Sequence, residues 1–126
     1  MATRLEHVNI CVKDPEATAR VLARLFDWRI RWQGATPDKG TSVHVGNDAG
    51  YVALYCPGHE IRGEAQKYRT WGGLNHIAVV VSNLAAMEAA VRAEGFAVHS
   101  HADYEPGRRF YFDGPDGVEY EVVAYN

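Results

Sequence analysis

The sequence predicts an α+β protein of two βαβββ modules that form a curved sheet around a cavity, with the helices outside. Three observations predict this class. The stretch Leu5 to Asp14 repeats as Leu74 to Asn83, with Leu, His and the β-branched positions in register. Each copy is followed by apolar residues at helical spacing. Three further short segments, separated by turn residues, then complete each half.

The first module covers residues 1–58 and opens with a strand over Leu5 to Val12, where apolar and polar residues alternate. Asp14 is a suitable N-cap, and Pro15 suits the first position of a helix. The helix carries an apolar stripe that ends near Phe26. The remaining predicted strands cover 28–32, 41–45 and 51–55.

A polar connector, residues 59–72, precedes the second module, residues 73–126. This module opens with a strand over Leu74 to Val81, and Ser82 or Asn83 caps the helix that follows. Gly95 stands where a C′ glycine ends a helix. The later predicted strands cover 96–101, 109–113 and 118–124.

Composition excludes several classes of function. The chain has 126 residues, which suits a single domain, and a formal net charge of −3, which argues against nucleic-acid binding. We expect no membrane association, because no apolar run approaches the roughly 18–20 residues that span a bilayer. The N-terminus lacks the apolar core of a signal peptide. Two cysteines do not make a disulfide framework, so we expect a cytoplasmic protein.

Alternation along the strands assigns the polar residues to one face. Side chains two apart on a strand share a face. The apolar residues Val8, Ile10 and Val12 therefore face the first helix, and the polar residues face away from it. The residues predicted on this opposite face are His7, His44, His76, Tyr51, Tyr55, Arg109, Tyr111, Glu119 and Glu121.

A face rich in His, Tyr and Glu is typical of a concave site with buried polar groups. Two imidazoles and one carboxylate form the facial triad of iron(II) sites, which zinc and manganese also accept. Glu121 has an alternative role as the ion-pair partner of Arg108 or Arg109. Glu119 is expected beside the site. His99 and His101 share parity and are expected as partly exposed sheet histidines.

Three stretches give the chain a resemblance to the vicinal oxygen chelate superfamily, which includes glyoxalase I, bleomycin-resistance proteins and extradiol dioxygenases. They begin at Leu5-Glu6-His7-Val8, at Gly73-Leu74-Asn75-His76 and at Phe110-Tyr111-Phe112-Asp113-Gly114-Pro115-Asp116-Gly117. The resemblance covers nearly the whole chain. In the family, the aspartate-X-Pro-Asp-Gly motif is followed, four residues after its glycine, by a metal-binding glutamate.

The resemblance implies a site for one divalent ion (Fe, Mn, Ni or Zn) with His7, His76 and Glu121 as ligands. It implies a small-molecule substrate bound through two adjacent oxygens, with Tyr111 and Glu121 as catalytic residues. His44, Tyr55, Arg109 and Tyr111 are the expected substrate contacts. It also implies a homodimer, in which many short members take the first histidine from one chain and the other two ligands from its partner.

One departure from the family pattern bears on activity. Glyoxalase I uses a fourth protein ligand, a glutamate on the last strand of the first module, where this chain has Ala53. The resemblance therefore implies three ligands with open positions and poor glyoxalase activity. Two alternatives remain at the sequence level: a metal-free drug-binding protein of the bleomycin-resistance type, and an accessory domain that only dimerises.

Overall fold

The computed structural model describes residues 2–63, 66–104 and 107–126. The chain divides into two compact units, Met1–Arg62 and Gly63–Asn126. Within the described residues, each unit contains one α-helix and a four-stranded sheet in the order βαβββ. The predicted α+β class and its two βαβββ modules are confirmed.

The first unit contains one helix, α1 (Pro15–Phe26), and its sheet has the strand order β1-β4-β3-β2. Strand β1 runs parallel to β4, and the other neighbours are antiparallel. Its strands are β1 (His7–Cys11), β2 (Arg29–Ala35), β3 (Thr41–Asn47) and β4 (Gly50–Cys56).

The second unit contains α2 (Leu84–Ala93) and repeats this topology, with the strand order β5-β8-β7-β6. Strand β5 is parallel to β8, and a short 3₁₀ turn, Pro115–Gly117, joins β7 to β8. Its strands are β5 (Ile77–Val80), β6 (Val98–Tyr104), β7 (Gly107–Asp113) and β8 (Glu119–Ala124).

Both helices begin where their capping residues predict. The carboxylate of Asp14 accepts a hydrogen bond from the backbone N–H of Ala17 at 3.0 Å, which satisfies a donor at the free end of α1. Asn83, rather than Ser82, caps α2 in the same way. Gly95 has a φ of +95°, the left-handed conformation that favours glycine after a helix.

The faces predicted to pack against the helices supply most of the two cores, but Val8 of β1 is 38% exposed. In the first unit Leu22 of α1, Val45 and Leu54 are fully buried. In the second unit the fully buried residues are Val91, Phe110 and Val122, with other apolar residues around them. Burial of each such side chain stabilises the fold by about 1.5–3 kcal/mol. Among the described residues, no helix has both the length and the apolar character needed to cross a membrane.

Two local predictions are wrong. Strand β5 begins at Ile77 rather than Leu74, since a turn with a Gly73 N–H to Thr70 C=O hydrogen bond precedes it. His99 and His101 do not share a face: the pairing register of β6 with β7 shifts between His99 and Ala102, and Ser100 has a φ of +57°. This bulge breaks the alternation on which the prediction rested.

Candidate metal centre

Strands β7 and β8 bring the polar residues of the second unit together. The register pairs Asp113 with Glu119 and Tyr111 with Glu121, so their side chains lie on the face opposite α2. The turn between the strands needs left-handed backbone at two successive residues, Asp116 with φ +60° and Gly117 with φ +71°. Glycine adopts this conformation at no steric cost, so the motif sets the register of both glutamates.

Glu121 is a buried carboxylate with two neighbours of different kinds. Its side chain is only 9% exposed, and its Oε1 accepts a 2.7 Å hydrogen bond from Nη1 of Arg109, itself 11% exposed. Its Oε2 lies 3.1 Å from Nε2 of His76, which precedes β5. The ion pair that was the alternative role of Glu121 is therefore present, with Arg109 as the partner, and Glu121 also contacts His76.

The connector holds the other nitrogen of His76. The hydroxyl of Tyr68 donates a 2.5 Å hydrogen bond to Oε1 of Glu119 and lies 3.1 Å from Nδ1 of His76. Burial and the bond to Glu119 raise the pKa of Tyr68, so the hydroxyl keeps its proton at neutral pH. Tyr68 is anchored by its own N–H, which donates to the side-chain oxygen of Asn75 at 2.7 Å.

The contacts of Tyr68 assign Nδ1 as the protonated nitrogen of a neutral His76 ring. The single hydroxyl proton of Tyr68 goes to Glu119, so the hydroxyl oxygen acts as the acceptor for Nδ1–H of His76. In the neutral ring, Nε2 is then an unprotonated acceptor that faces the carboxylate oxygen of Glu121. Two acceptors 3.1 Å apart repel unless a proton or a cation lies between them. A proton on Nε2 or a cation between the two atoms would therefore make this contact favourable.

Tyr111 lies in the middle of this face. Its ring contacts His76 edge-on, with centroids 5.6 Å apart, and stacks on His99 at 6.2 Å. Burial and the charge of Glu121 raise the pKa of Tyr111, so its phenol is neutral near pH 7. A neutral phenol in this position can donate a hydrogen bond to a bound molecule.

In the first unit, His7 lies on β1 beside the aromatic ring of Tyr51. Its Nδ1 is 2.8 Å from a carboxylate oxygen of Glu6, and its ring stacks on Tyr51 with centroids 4.7 Å apart. His44 stacks on the same tyrosine at 4.5 Å, and Arg31 lies over it at 4.6 Å. Burial is the main cause that lowers the pKa of His44, and the charges of His7 and Arg31 lower it further.

Tyr55 and Ala53 lie on β4 of the same unit. The hydroxyl of Tyr55 donates to Asp38, which raises the pKa of Tyr55 to about 12. Ala53 is 2% exposed and pairs in register with His44. Position 53 therefore offers a buried methyl group and no carboxylate.

The structure brings His76, Arg109, Tyr111 and Glu121 together in the second unit, and His7 and His44 together in the first. From the sequence, Tyr68 of the connector is a residue that could line a cavity mouth or a subunit interface, and in the structure its hydroxyl contacts Glu119. Sequence reasoning missed Lys67, which also contacts Glu119, because connectors carry no periodicity.

Comparison with known proteins identifies the family. The model of the Glyoxalase/Bleomycin resistance protein/Dioxygenase superfamily matches residues 4–122, so the chain belongs to that superfamily. A search of curated proteins finds no match.

Solved structures share the fold at low sequence identity. A glyoxylase/bleomycin resistance protein/dioxygenase domain from Frankia sp. EAN1pec is 18% identical with a TM-score of 0.83, and the match covers 100% of this chain and 94% of that one. A mutant of the fosfomycin resistance protein FosX from Listeria monocytogenes, complexed with Mn(II) and 1S,2S-dihydroxypropylphosphonic acid, is 19% identical with a TM-score of 0.72, covering 98% and 93%. Trypanothione-dependent glyoxalase I from Leishmania major is 19% identical with a TM-score of 0.74, covering 98% and 88%.

Proposed function

We propose that the protein is a metal-dependent enzyme that binds a small substrate through two adjacent oxygens on one divalent ion. His7, His76 and Glu121 are the proposed ligands. The observation that carries the proposal is the 3.1 Å approach of Nε2 of His76 to Oε2 of Glu121, two ligand-type atoms that one cation could join. Their remaining polar atoms are already engaged by Tyr68 and Arg109, as is usual around metal ligands.

A divalent ion held there would stabilise negative charge that develops on a substrate oxygen. The chain's own residues would orient the metal ligands and donate a proton to the substrate. Arg109 fixes Glu121 through Oε1 and leaves Oε2 for the ion. Tyr68 fixes the ring of His76. Tyr111, neutral near pH 7, would donate a hydrogen bond to the substrate, and Glu121 is the proposed proton acceptor.

The third proposed ligand, His7, has its own orienting group. Glu6 contacts its Nδ1, which directs Nε2 toward a ligand role. We propose a homodimer in which His7 of one chain joins His76 and Glu121 of the other. Mixing His7→Ala chains with Glu121→Gln chains tests the sharing: a shared site restores one intact centre per mixed dimer. Activity that stays absent in the mixture would contradict sharing.

The substrate class follows from the polar and aromatic groups on these faces. We propose an oxygenated acid or an aromatic diol, contacted by His44, by the ring of Tyr55 and by Tyr111. Arg109 would favour an anionic group, although its charge is shared with Glu121. The Mn(II) complex of the FosX mutant supports Mn as one of the four candidate ions, beside Fe, Ni and Zn. A cytoplasmic location is proposed because Cys11 is an exposed free thiol.

We propose that methylglyoxal with glutathione is a poor substrate, because Ala53 supplies no carboxylate. Losing a positioned general base typically costs 10²–10⁴-fold in rate. The assay is glyoxalase turnover by metal-reconstituted protein. A kcat/KM of roughly 10⁴ M⁻¹s⁻¹ or more would show that the role of position 53 is misread.

Equilibrium dialysis of Fe, Mn, Ni and Zn tests the metal centre. Wild type is compared with His76→Ala, and His101→Ala serves as the matched control, since His101 contacts Glu88 of α2 instead. We expect weaker uptake in His76→Ala only. Equal uptake by wild type and His76→Ala for all four ions would refute the proposal.

A metal-free drug-binding protein is the second candidate. The observation that favours it is the ion pair of Arg109 with Glu121, which already neutralises the buried carboxylate. The stacked rings of His7, Tyr51 and His44 would then bind a planar molecule. Binding of an aromatic ligand that is unchanged by a chelator and by His76→Ala would support this function over the enzyme.

A further inference from the structure

A second group of ligand-type side chains lies on the same face as Glu121. His99 belongs to β6, Asp113 ends β7 and Glu119 begins β8. One ligand atom from each lies within 4.8 Å of the others. The neighbouring strands β6, β7 and β8 produce this grouping, since Asp113 pairs directly with Glu119, and His99 pairs with Tyr111 two residues before Asp113.

His99 carries the observation that points to a ligand. Its Nε2 is buried and has no hydrogen-bond partner among the described residues. A buried polar nitrogen without a partner costs about 1–3 kcal/mol. Its other nitrogen, Nδ1, is held 2.9 Å from the hydroxyl of Ser100, so the ring is oriented while the inner nitrogen is left open.

The spacing fits a metal ion better than a hydrogen bond. Nε2 of His99 lies 3.6 Å from Oδ2 of Asp113, which is too long for a hydrogen bond. Ligands of tetrahedral zinc lie about 2.0–2.2 Å from the ion and hence about 3.4 Å from one another. Asp113 is half exposed, so its side chain can turn toward an ion, whereas Glu119 is buried and fixed by Tyr68.

The two carboxylates already attract a cation from the connector. Nζ of Lys67 lies 3.0 Å from Oδ1 of Asp113 and 3.4 Å from Oε2 of Glu119. The ammonium group approaches Asp113 through the oxygen that does not face His99. Lys67 therefore compensates part of the negative charge, while Nε2 of His99 stays without a hydrogen bond, 3.6 Å from Oδ2 of Asp113.

We propose that His99, Asp113 and Glu119 form a second site for a divalent transition-metal ion such as Zn²⁺, for which Lys67 is the competing cation. The site is distinct from the pair His76 and Glu121 and does not depend on the function proposed for that pair. The ring of Tyr111 lies between His76 and His99, so the two sites flank one tyrosine. A bound metal ion would compete with Lys67 for the two carboxylates, and this couples the second site to the connector.

Zinc titration by isothermal calorimetry, with the metal content measured after dialysis, tests this site. All variants are made in a His76→Ala background, which separates this site from the centre proposed above. We expect His99→Gln and Asp113→Asn to weaken zinc binding by about 100-fold or more, since even orienting residues around a metal cost 10–100-fold. Lys67→Met should bind zinc about fivefold more tightly, because it removes a competing ion pair.

His101→Gln is the matched control, because it alters a histidine of the same strand that contacts Glu88 and α2 instead. Asp113 is exposed, so Asp113→Asn tests the site even if His99→Gln impairs folding. Zinc affinity in both His99→Gln and Asp113→Asn equal to that of His101→Gln would overturn the proposal. Loss of zinc binding in His99→Gln and Asp113→Asn would uphold this second site. If His76→Ala alone also leaves zinc binding unchanged, the centre proposed at His76 and Glu121 would be refuted.

Discussion

Removing Arg109 should destabilise the second unit, because it leaves the carboxylate of Glu121 buried without its cation. In Arg109→Met the aliphatic stem is largely kept, but the 2.7 Å bond to Glu121 is lost. The hydrogen bonds of Arg109 to the carbonyl of Gly107, at 3.2 and 3.3 Å, and its position over the ring of Tyr104 are lost as well.

The magnitude follows from the burial of the pair. Removing one partner of a buried ion pair costs about 3–5 kcal/mol in unfolding free energy. The side chains are 11% and 9% exposed, so water screens them slightly, and we expect about 2–4 kcal/mol. With a urea m-value of about 2 kcal/mol/M, in the middle of the usual range, the unfolding midpoint should fall by about 1–2 M.

The assay is urea unfolding followed by circular dichroism. Arg108→Met is the matched control, since Arg108 is exposed and should change the midpoint little. Adding Glu121→Gln to Arg109→Met should recover part of the loss, because a neutral amide needs no cation. A midpoint for Arg109→Met equal to that of Arg108→Met would refute the view that this pair is a buried, energetically significant contact.

Three further outcomes are expected. Hydrogen bonds from Thr36 and Tyr55 lower the pKa of Asp38 to about 2, so the stability from its ionised form is present above its ordinary pKa of about 3.9 and is lost as pH falls toward 2. Tyr55→Phe should raise the pKa of Asp38, measured by NMR titration, and an unchanged pKa would contradict the assignment. Asp14→Ala removes the cap of α1 and should lower the free energy of unfolding, measured with urea, by about 1 kcal/mol. An unchanged free energy of unfolding would contradict the role of Asp14 as a stabilising cap. Gly117→Ala should cost about 1–2 kcal/mol through its φ of +71° alone, since nothing lies within 4 Å of the added Cβ; an unchanged midpoint would show that the turn tolerates alanine.

Periodicity and capping in the sequence were sufficient to predict the elements. Alternation predicted the strands, and Asp14 and the Ser82/Asn83 position predicted the starts of both helices. These signals are local: each depends on a few neighbouring residues whose geometry is fixed by the pleat of a strand or by the unsatisfied donors of a helix end. The internal repeat extended this to topology, because two similar sequences build two similar units.

The same reasoning was only partly sufficient for the candidate centre. Parity placed Tyr111 and Glu121 on one face, and the register of β7 with β8 confirms that placement. The parity prediction failed at His99 and His101, because the bulge at Ser100 interrupts the alternation and no residue type in the sequence predicts that bulge.

What the sequence by itself determined is which residues belong to strands, helices and turns, and which polar types lie on the open faces. Only the tertiary structure decided which of them are partners: Arg109 rather than Arg108 for Glu121, and Tyr68 for His76 and Glu119. The physical reason is the range of the interactions. Secondary structure follows from contacts within a few residues. The hydrogen bond of Tyr68 to Glu119 instead requires a connector and a strand, 51 residues apart, to fold against each other.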